Sequence, residues 1–288
     1  MRSAASGGKS VGMKDMPVAH AVIPPQPRDY HGVNWAGFQT LYLREIKRFW
    51  KVGTQTLAAP VVTSLLYMMV FVAAGGQGGS GRASVHGVPY ASFVAPGLIM
   101  MSILNNAFAN SSSSLLQAKM NGLIGDFLTP PLTPPEHVAA FALGAATRGI
   151  LVGSVTWIAV AFFTQVPVTH LWAILYFGVG AAVILGLLGV MAGLWSEKFD
   201  HMAVVTNFVI MPMTFLSGTF YLVERLPGPF RAASHYNPFF YLIDGFRYGF
   251  LGAHESSITA GVAMTAGLIV ALTSICLWMF ETGYKIKT

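Results

Sequence analysis

Residues 171–195 read LWAILYFGVGAAVILGLLGVMAGLW, an uncharged run of 25 residues. A helix rises ~1.5 Å per residue, so this run exceeds the ~20 residues that cross a ~30 Å hydrocarbon layer. Five more apolar segments share its character, at approximately 55–75, 93–116, 138–164, 202–222 and 258–280. The short links at 165–170 and 196–201 force neighbouring segments to run antiparallel. Composition agrees: 54% of residues are hydrophobic and only 10% charged, against about a quarter charged in a soluble domain. These figures exclude a soluble enzyme, a disordered chain and a coiled coil. The expectation is an all-α polytopic membrane protein with six transmembrane helices.

The net charge is +6. In a soluble protein this would raise nucleic acid as a partner; here it sets sidedness, and no nucleic acid is expected. Six spans place both termini on one side. With the N-terminus inside, most cations are cytoplasmic, leaving Arg82, Arg225, Arg231 and Arg247 outside and Arg148 within a span. That bias predicts cytoplasmic termini. Cys276 has no second cysteine to pair with and reads as a small apolar residue.

Outside the spans the chain changes material. Residues 1–33 are rich in Gly, Ser and Pro and read as a flexible cytoplasmic tail without the apolar core of a cleaved signal. Within it Ser3–Ser10, SAASGGKS, falls one glycine short of a phosphate loop and lacks the preceding strand that loop needs. Residues 34–51 begin the transmembrane domain, 34–288. Trp35, Phe38, Leu41, Tyr42, Ile46, Phe49 and Trp50 recur at spacings of three and four, and Arg44, Lys47, Arg48 and Lys51 fall on another face. This predicts an amphipathic helix lying at the membrane surface, in contact with lipid. The inner loop 117–136 mixes Met120, Leu123, Ile124, Phe127 and Leu128 with Asp126 before a proline cluster, a short amphipathic helix stopped by prolines. The outer segment 222–252 is too aromatic for an aqueous loop and predicts a re-entrant pair of broken helices before the last span.

Polar residues inside the spans are few. Ser102, Asn106, Asn110 and Ser113 recur along the second span, and Asn207 and Thr214 repeat the theme in the fifth. Buried amides are expensive in hydrocarbon, so this stripe meets protein or water, either as a pathway wall or subunit interface or as ordinary helix–helix glue. Arg148 lies about one helical turn deep and can snorkel to the inner surface. Asp244 and Arg247, three apart, share a helix face and can pair as a structural lock at the outer gate. Exposed apolar residues in the inner loop, uncovered on a soluble face, mark Asn121, Gly122, Leu123, Gly125, Asp126 and Phe127 as a partner site. Catalytic and metal signatures are missing from the sequence: it contains no HExxH or CxxC. Gly78–Gly81, GGSG, matches a serine-protease string but lies in a Gly-rich linker, with nothing to activate a nucleophile.

Three strings carry a resemblance: Phe93–Met100 (FVAPGLIM), Leu216–Tyr221 (LSGTFY) and Asn237–Arg247 (NPFFYLIDGFR). With the order of elements they resemble the membrane subunit of an ABC-2 type ABC exporter, from about Asn34 to the end. The resemblance implies a non-catalytic permease of the bacterial plasma (inner) membrane. Two copies would form the pathway, as a homodimer, and separate ABC-type ATPase subunits would bind the ATP, so this chain needs no cofactor of its own. It places Arg148 near the inner gate and makes the inner-loop helix the ATPase contact. A self-sufficient secondary transporter is the alternative, but such proteins show internal repeats and intramembrane acids that this sequence lacks.

Overall fold

The computed structural model describes residues 32–76, 84–85, 87–125 and 131–285. Helices α1 (Trp35–Trp50), α2 (Gly53–Gly76), α3 (Tyr90–Met120), α4 (Pro134–Ala161) and α5 (Leu171–Trp195) come first, with a two-residue antiparallel β-pair, Ser84–Val85 on Val88–Pro89, between α2 and α3. Next α6 (Phe199–Val205), a π-helical turn (Thr206–Ile210) and α7 (Met211–Phe215) run on as one rod. A 3₁₀ turn (Val223–Arg225), α8 (Gly228–Tyr236), α9 (Pro238–Leu251) and α10 (Ile258–Thr282) follow. Among the described residues, five helices are long and apolar enough to cross a membrane: α2, α3, α4, α5 and α10. The chain is an all-α polytopic membrane protein.

Four of the expected spans lie inside longer or slightly shifted helices, and 171–195 matches α5 to the residue. The segment expected at 202–222 differs most. Its helix covers 199–215, and residues 216–222 turn away. The reason is local. The hydroxyls of Ser217 and Thr219 both donate to the Thr214 carbonyl, and Gly218 takes φ 75°, a left-handed conformation that ends a helix. Hydropathy does not register either effect.

Helix α3 is the axis of the molecule. In its apolar window 89% of residues are buried, against 17% in α2 and 22% in α10. Lipid is as apolar as leucine, so close backbone packing has to hold such helices together. Glycines permit that approach. A Cβ at Gly189 of α5 would stand 2.5 Å from the Phe108 carbonyl of α3, and one at Gly149 of α4 would stand 3.0 Å from Ile103 O. Helix α9 packs on α5 and α3, with Phe246 against Gly178 of α5, and its Phe239, Phe246 and Phe250 are all buried.

The connection after α3 is tighter than the sequence predicts. Helix α3 runs to Met120 and closes in a Schellman turn. Leu123 N–H donates to Ala118 O (2.8 Å), Gly122 N–H donates to Lys119 O (3.0 Å), and Gly122 sits at φ 68°. Helical geometry resumes at Ile124 and Gly125; the rest of the expected inner helix, with Asp126 and Phe127, falls outside the described residues. Helix α4 starts on Pro134 and Pro135, whose missing N–H groups cost nothing in a first turn. The Glu136 carboxylate accepts from Thr133 N–H (2.7 Å) and from Asn34 N–H (2.6 Å), tying the start of α1 to the start of α4.

Candidate functional site

At the α1 end of the bundle the positions Leu41, Glu45 and Phe49 form the buried stripe of α1. The helical spacing therefore drives a carboxylate into the protein. Glu45 is fully buried and accepts from Ser114 Oγ (2.6 Å), Asn110 Nδ2 (3.4 Å) and Arg48 Nη2 (3.3 Å). Arg48 also donates to Ser113 Oγ (3.0 Å) and to the side-chain and main-chain oxygens of Asn110 (3.0 and 2.6 Å). This corrects the reading of α1's cations as one exposed face, since Arg48 turns inward onto α3. The driving force is Glu45, an uncompensated buried charge without it.

The polar stripe also divides. Ser102 shares a hydrogen bond with Ser64 of α2 (3.0 Å), and Asn106 donates to Ser102 O (3.0 Å). Together with Asn105, Thr63, Pro60 and Tyr67 they line an open groove of about 280 Å³ between α2 and α3. Arg148 of α4, half-buried, donates to Asn106 Oδ1 (3.3 Å), a side chain that lines this groove. Asn110 and Ser113 belong instead to the Glu45 network. Thr214 is buried and bonds the Ile210 carbonyl (2.7 Å), whereas Asn207 is exposed on the π-helical turn. The six stripe residues therefore do not form one surface. A period of three or four along a helix 31 residues long places its two ends against different neighbours.

At the opposite end Asp244 and Arg247 stand together on α9, both buried. Arg247 closes its ion pair not on Asp244, as their spacing suggests, but on Glu255 (3.4 Å); its other donor takes Gly218 O (2.6 Å), and its guanidinium lies 4.1 Å from the Phe93 ring centre. Asp244 accepts from Glu255 N–H (2.9 Å), Ser256 N–H (2.8 Å) and Ser256 Oγ (2.6 Å). Glu255 accepts in turn from Val223 N–H (2.7 Å) and Glu224 N–H (3.4 Å). Burial pushes its carboxyl above the usual range, and Arg247 opposes that shift. The cluster locks segments 216–225 and 252–257 onto α9. Tyr90 adds a bond to Phe220 O (2.6 Å).

The residues expected to contact a partner end α3. Asn121, Gly122, Leu123 and Gly125 are exposed, as is Met120 beside them. A Cβ on Gly125 would meet nothing within 4 Å. Sequence reasoning missed Glu45 and Glu255. The first was detectable as an acid at the i+4 position between Leu41 and Phe49; the second had no local signal, because its partners lie on two other segments, α9 and the 3₁₀ turn.

Comparison with known proteins agrees with this architecture. The ABC-2 type transporter family matches residues 36–251. The chain is 35% identical over 255 residues to the inner membrane transport permease YadH of Escherichia coli K12, covering 88% of this chain and 98% of that protein. It is 26% identical over 246 residues to nodulation protein J of Rhizobium leguminosarum bv. viciae, covering 83% and 90% respectively. The family match covers the axis helix, the groove and the Asp244–Arg247 helix, and the chain belongs to the ABC-2 type transporter family as a membrane-spanning permease subunit.

Proposed function

We propose that this chain is the pathway subunit of an ATP-driven exporter of the bacterial inner membrane. It works as a homodimer and is driven by a separate ABC-type ATPase that binds the ATP. Both termini are cytoplasmic. The rod 199–215 with its following turn makes a short sixth crossing, and α1 lies at the inner lipid surface. Helices α8 and α9 re-enter from outside. Ser102 and Asn106, with Asn207 on the rod, face the pathway. Arg148 guards its inner end, and Asp244 and Arg247 hold its outer end. Asn121 to Phe127 receive the ATPase.

One observation supports this reading above the others. Helix α3 is a single rod of 31 residues that carries the groove at Ser102–Asn106 and, at its end, the exposed apolar turn Met120–Leu123. The two sites lie ~20 Å apart along one rigid helix at ~1.5 Å per residue. Force applied at the turn therefore reaches the groove. A groove on a helix with no exposed end would leave a partner nothing to push.

The test is Gly125→Trp, in a position open enough to take the ring. Co-expressed with its ATPase, the variant should insert normally but lose co-purification and permease-stimulated ATP hydrolysis. Normal binding with full stimulation would remove the coupling role. Transport by the chain alone, without any ATPase, would favour a secondary transporter.

A further inference from the structure

Arg148 is a cation without a matching anion. It sits half-buried within an apolar helix, and among the described residues no carboxylate pairs with it. Its one acceptor is the neutral Asn106 Oδ1 at 3.3 Å, and its Nε is buried with no partner. Arg48 lies close enough to repel it, and Glu45, the carboxylate that packs on Gly144 of the same helix, is already engaged by Arg48 and Ser114 among the described residues. Two guanidiniums and one carboxylate leave this region one positive charge in excess. A charge held in such surroundings is unfavourable unless an anion or water meets it.

The surroundings indicate which anion. Asn106 both accepts from Arg148 and lines the groove between α2 and α3, so one side chain joins the guanidinium to the groove wall. Pro60, Tyr67 and Met101 give the groove apolar walls, and Ser64, Ser102 and Asn105 give it polar ones. Arg148 is also level with α1. Tyr42 Oη lies 2.9 Å from Thr147 Oγ1 on the preceding residue of α4, and Glu45 packs on Gly144. On the orientation proposed above, α1 marks the depth of the inner lipid headgroups.

We propose that Arg148, with Arg48 behind it, recognises a singly charged oxyanion headgroup of an amphiphile whose apolar part lies in the groove between α2 and α3. A phosphodiester fits the chemistry, since a guanidinium offers paired donors to its oxygens and one negative charge cancels the excess. The inference rests on the permease reading for its sidedness alone.

The probe is phosphatidylglycerol, compared with phosphatidylcholine, with retained lipid counted by native mass spectrometry of the purified full-length chain. Wild type should hold one phosphatidylglycerol on the order of tenfold more tightly, the effect of one charge-assisted hydrogen bond. Arg148→Gln should abolish the preference and Arg148→Lys should keep part of it. Should Arg148→Gln fail to fold, Asn106→Asp serves in its place, because it supplies an internal anion 3.3 Å from the guanidinium. That variant should be at least as heat-stable as wild type yet lose the lipid preference. Equal retention of both lipids by wild type, or an unchanged preference in Arg148→Gln or Asn106→Asp, overturns the inference. If soluble glycerol phosphate binds as tightly as the lipid, the amphiphile is the wrong ligand. Any of these results alongside an uncoupled Gly125→Trp would overturn this inference alone and leave the permease reading intact.

Discussion

Two buried ionic clusters stand at opposite ends of α3, and they are built on different plans. The outer one, Asp244, Arg247 and Glu255, is satisfied mainly by backbone: N–H groups of residues 223, 224, 255 and 256 and the carbonyl of Gly218. It binds loops to a helix. The inner one, Glu45, Arg48, Asn110, Ser113 and Ser114, is largely side chain to side chain between α1 and α3. It binds helix to helix, Glu45 balances Arg48 within it, and the excess positive charge of this region belongs to Arg148 beside it. A cluster closed by backbone groups has one geometry. One closed by rotatable side chains can rearrange as helices shift. The comparison assigns the outer cluster to holding shape and the inner one to movement and recognition.

The largest expected effect comes from Arg247→Leu. It leaves the Glu255 carboxylate without its cation, and breaking a buried pair from one side costs about 3–5 kcal/mol. Thermal unfolding in detergent should show a large fall, and the outer segments should become protease-sensitive first. A stable Arg247→Leu protein would break the contrast, since it would mean the outer cluster does not hold shape. Glu45→Gln should cost less, about 1–3 kcal/mol, because the amide still offers an oxygen to Ser114. Its stronger signature should be functional. With α1 loosened from α3, permease-stimulated ATP hydrolysis should fall by more than the loss of stability explains.

Glu197 gives the smallest effect. Its carboxyl is held below the usual range, first by the hydrogen bond from Lys285 Nζ (2.9 Å) and then by that ammonium's charge. The pair's contribution is therefore present above the ordinary carboxylate range and is lost as pH falls through Glu197's depressed value. A melting-temperature profile between about pH 3 and 6 should differ only slightly between wild type and Glu197→Gln, as expected of an exposed pair.

Much of this organisation was readable in the sequence because hydropathy and helical period are local. Five of the long apolar helices, the helix at 35–50 and the two short helices in the outer aromatic segment follow from such patterns. What was not readable depended on long-range pairing or on single turns. Arg247 and Glu255 meet across the turn that follows α9, and Glu255 also reaches residues 223 and 224. The 202–222 segment ends early because of two hydroxyls and one left-handed glycine, features that an apolar window averages away. The stripe on α3 was seen as a period but not as two destinations, because the sequence of α3 does not say that α1 covers one half and α2 the other.

The central claim is that the groove between α2 and α3 is a pathway whose exposure follows the ATPase cycle. The most direct measurement is thiol labelling of Asn105→Cys in a Cys276→Ser background, which removes the native cysteine. Permease and ATPase are co-expressed in membranes, and an aqueous reagent is added from one side with and without ATP. The account predicts labelling from the cytoplasmic side without ATP, and protection there with labelling from outside when non-hydrolysable ATP is bound. Labelling that ignores nucleotide, in a complex whose ATPase is bound and active, would contradict it.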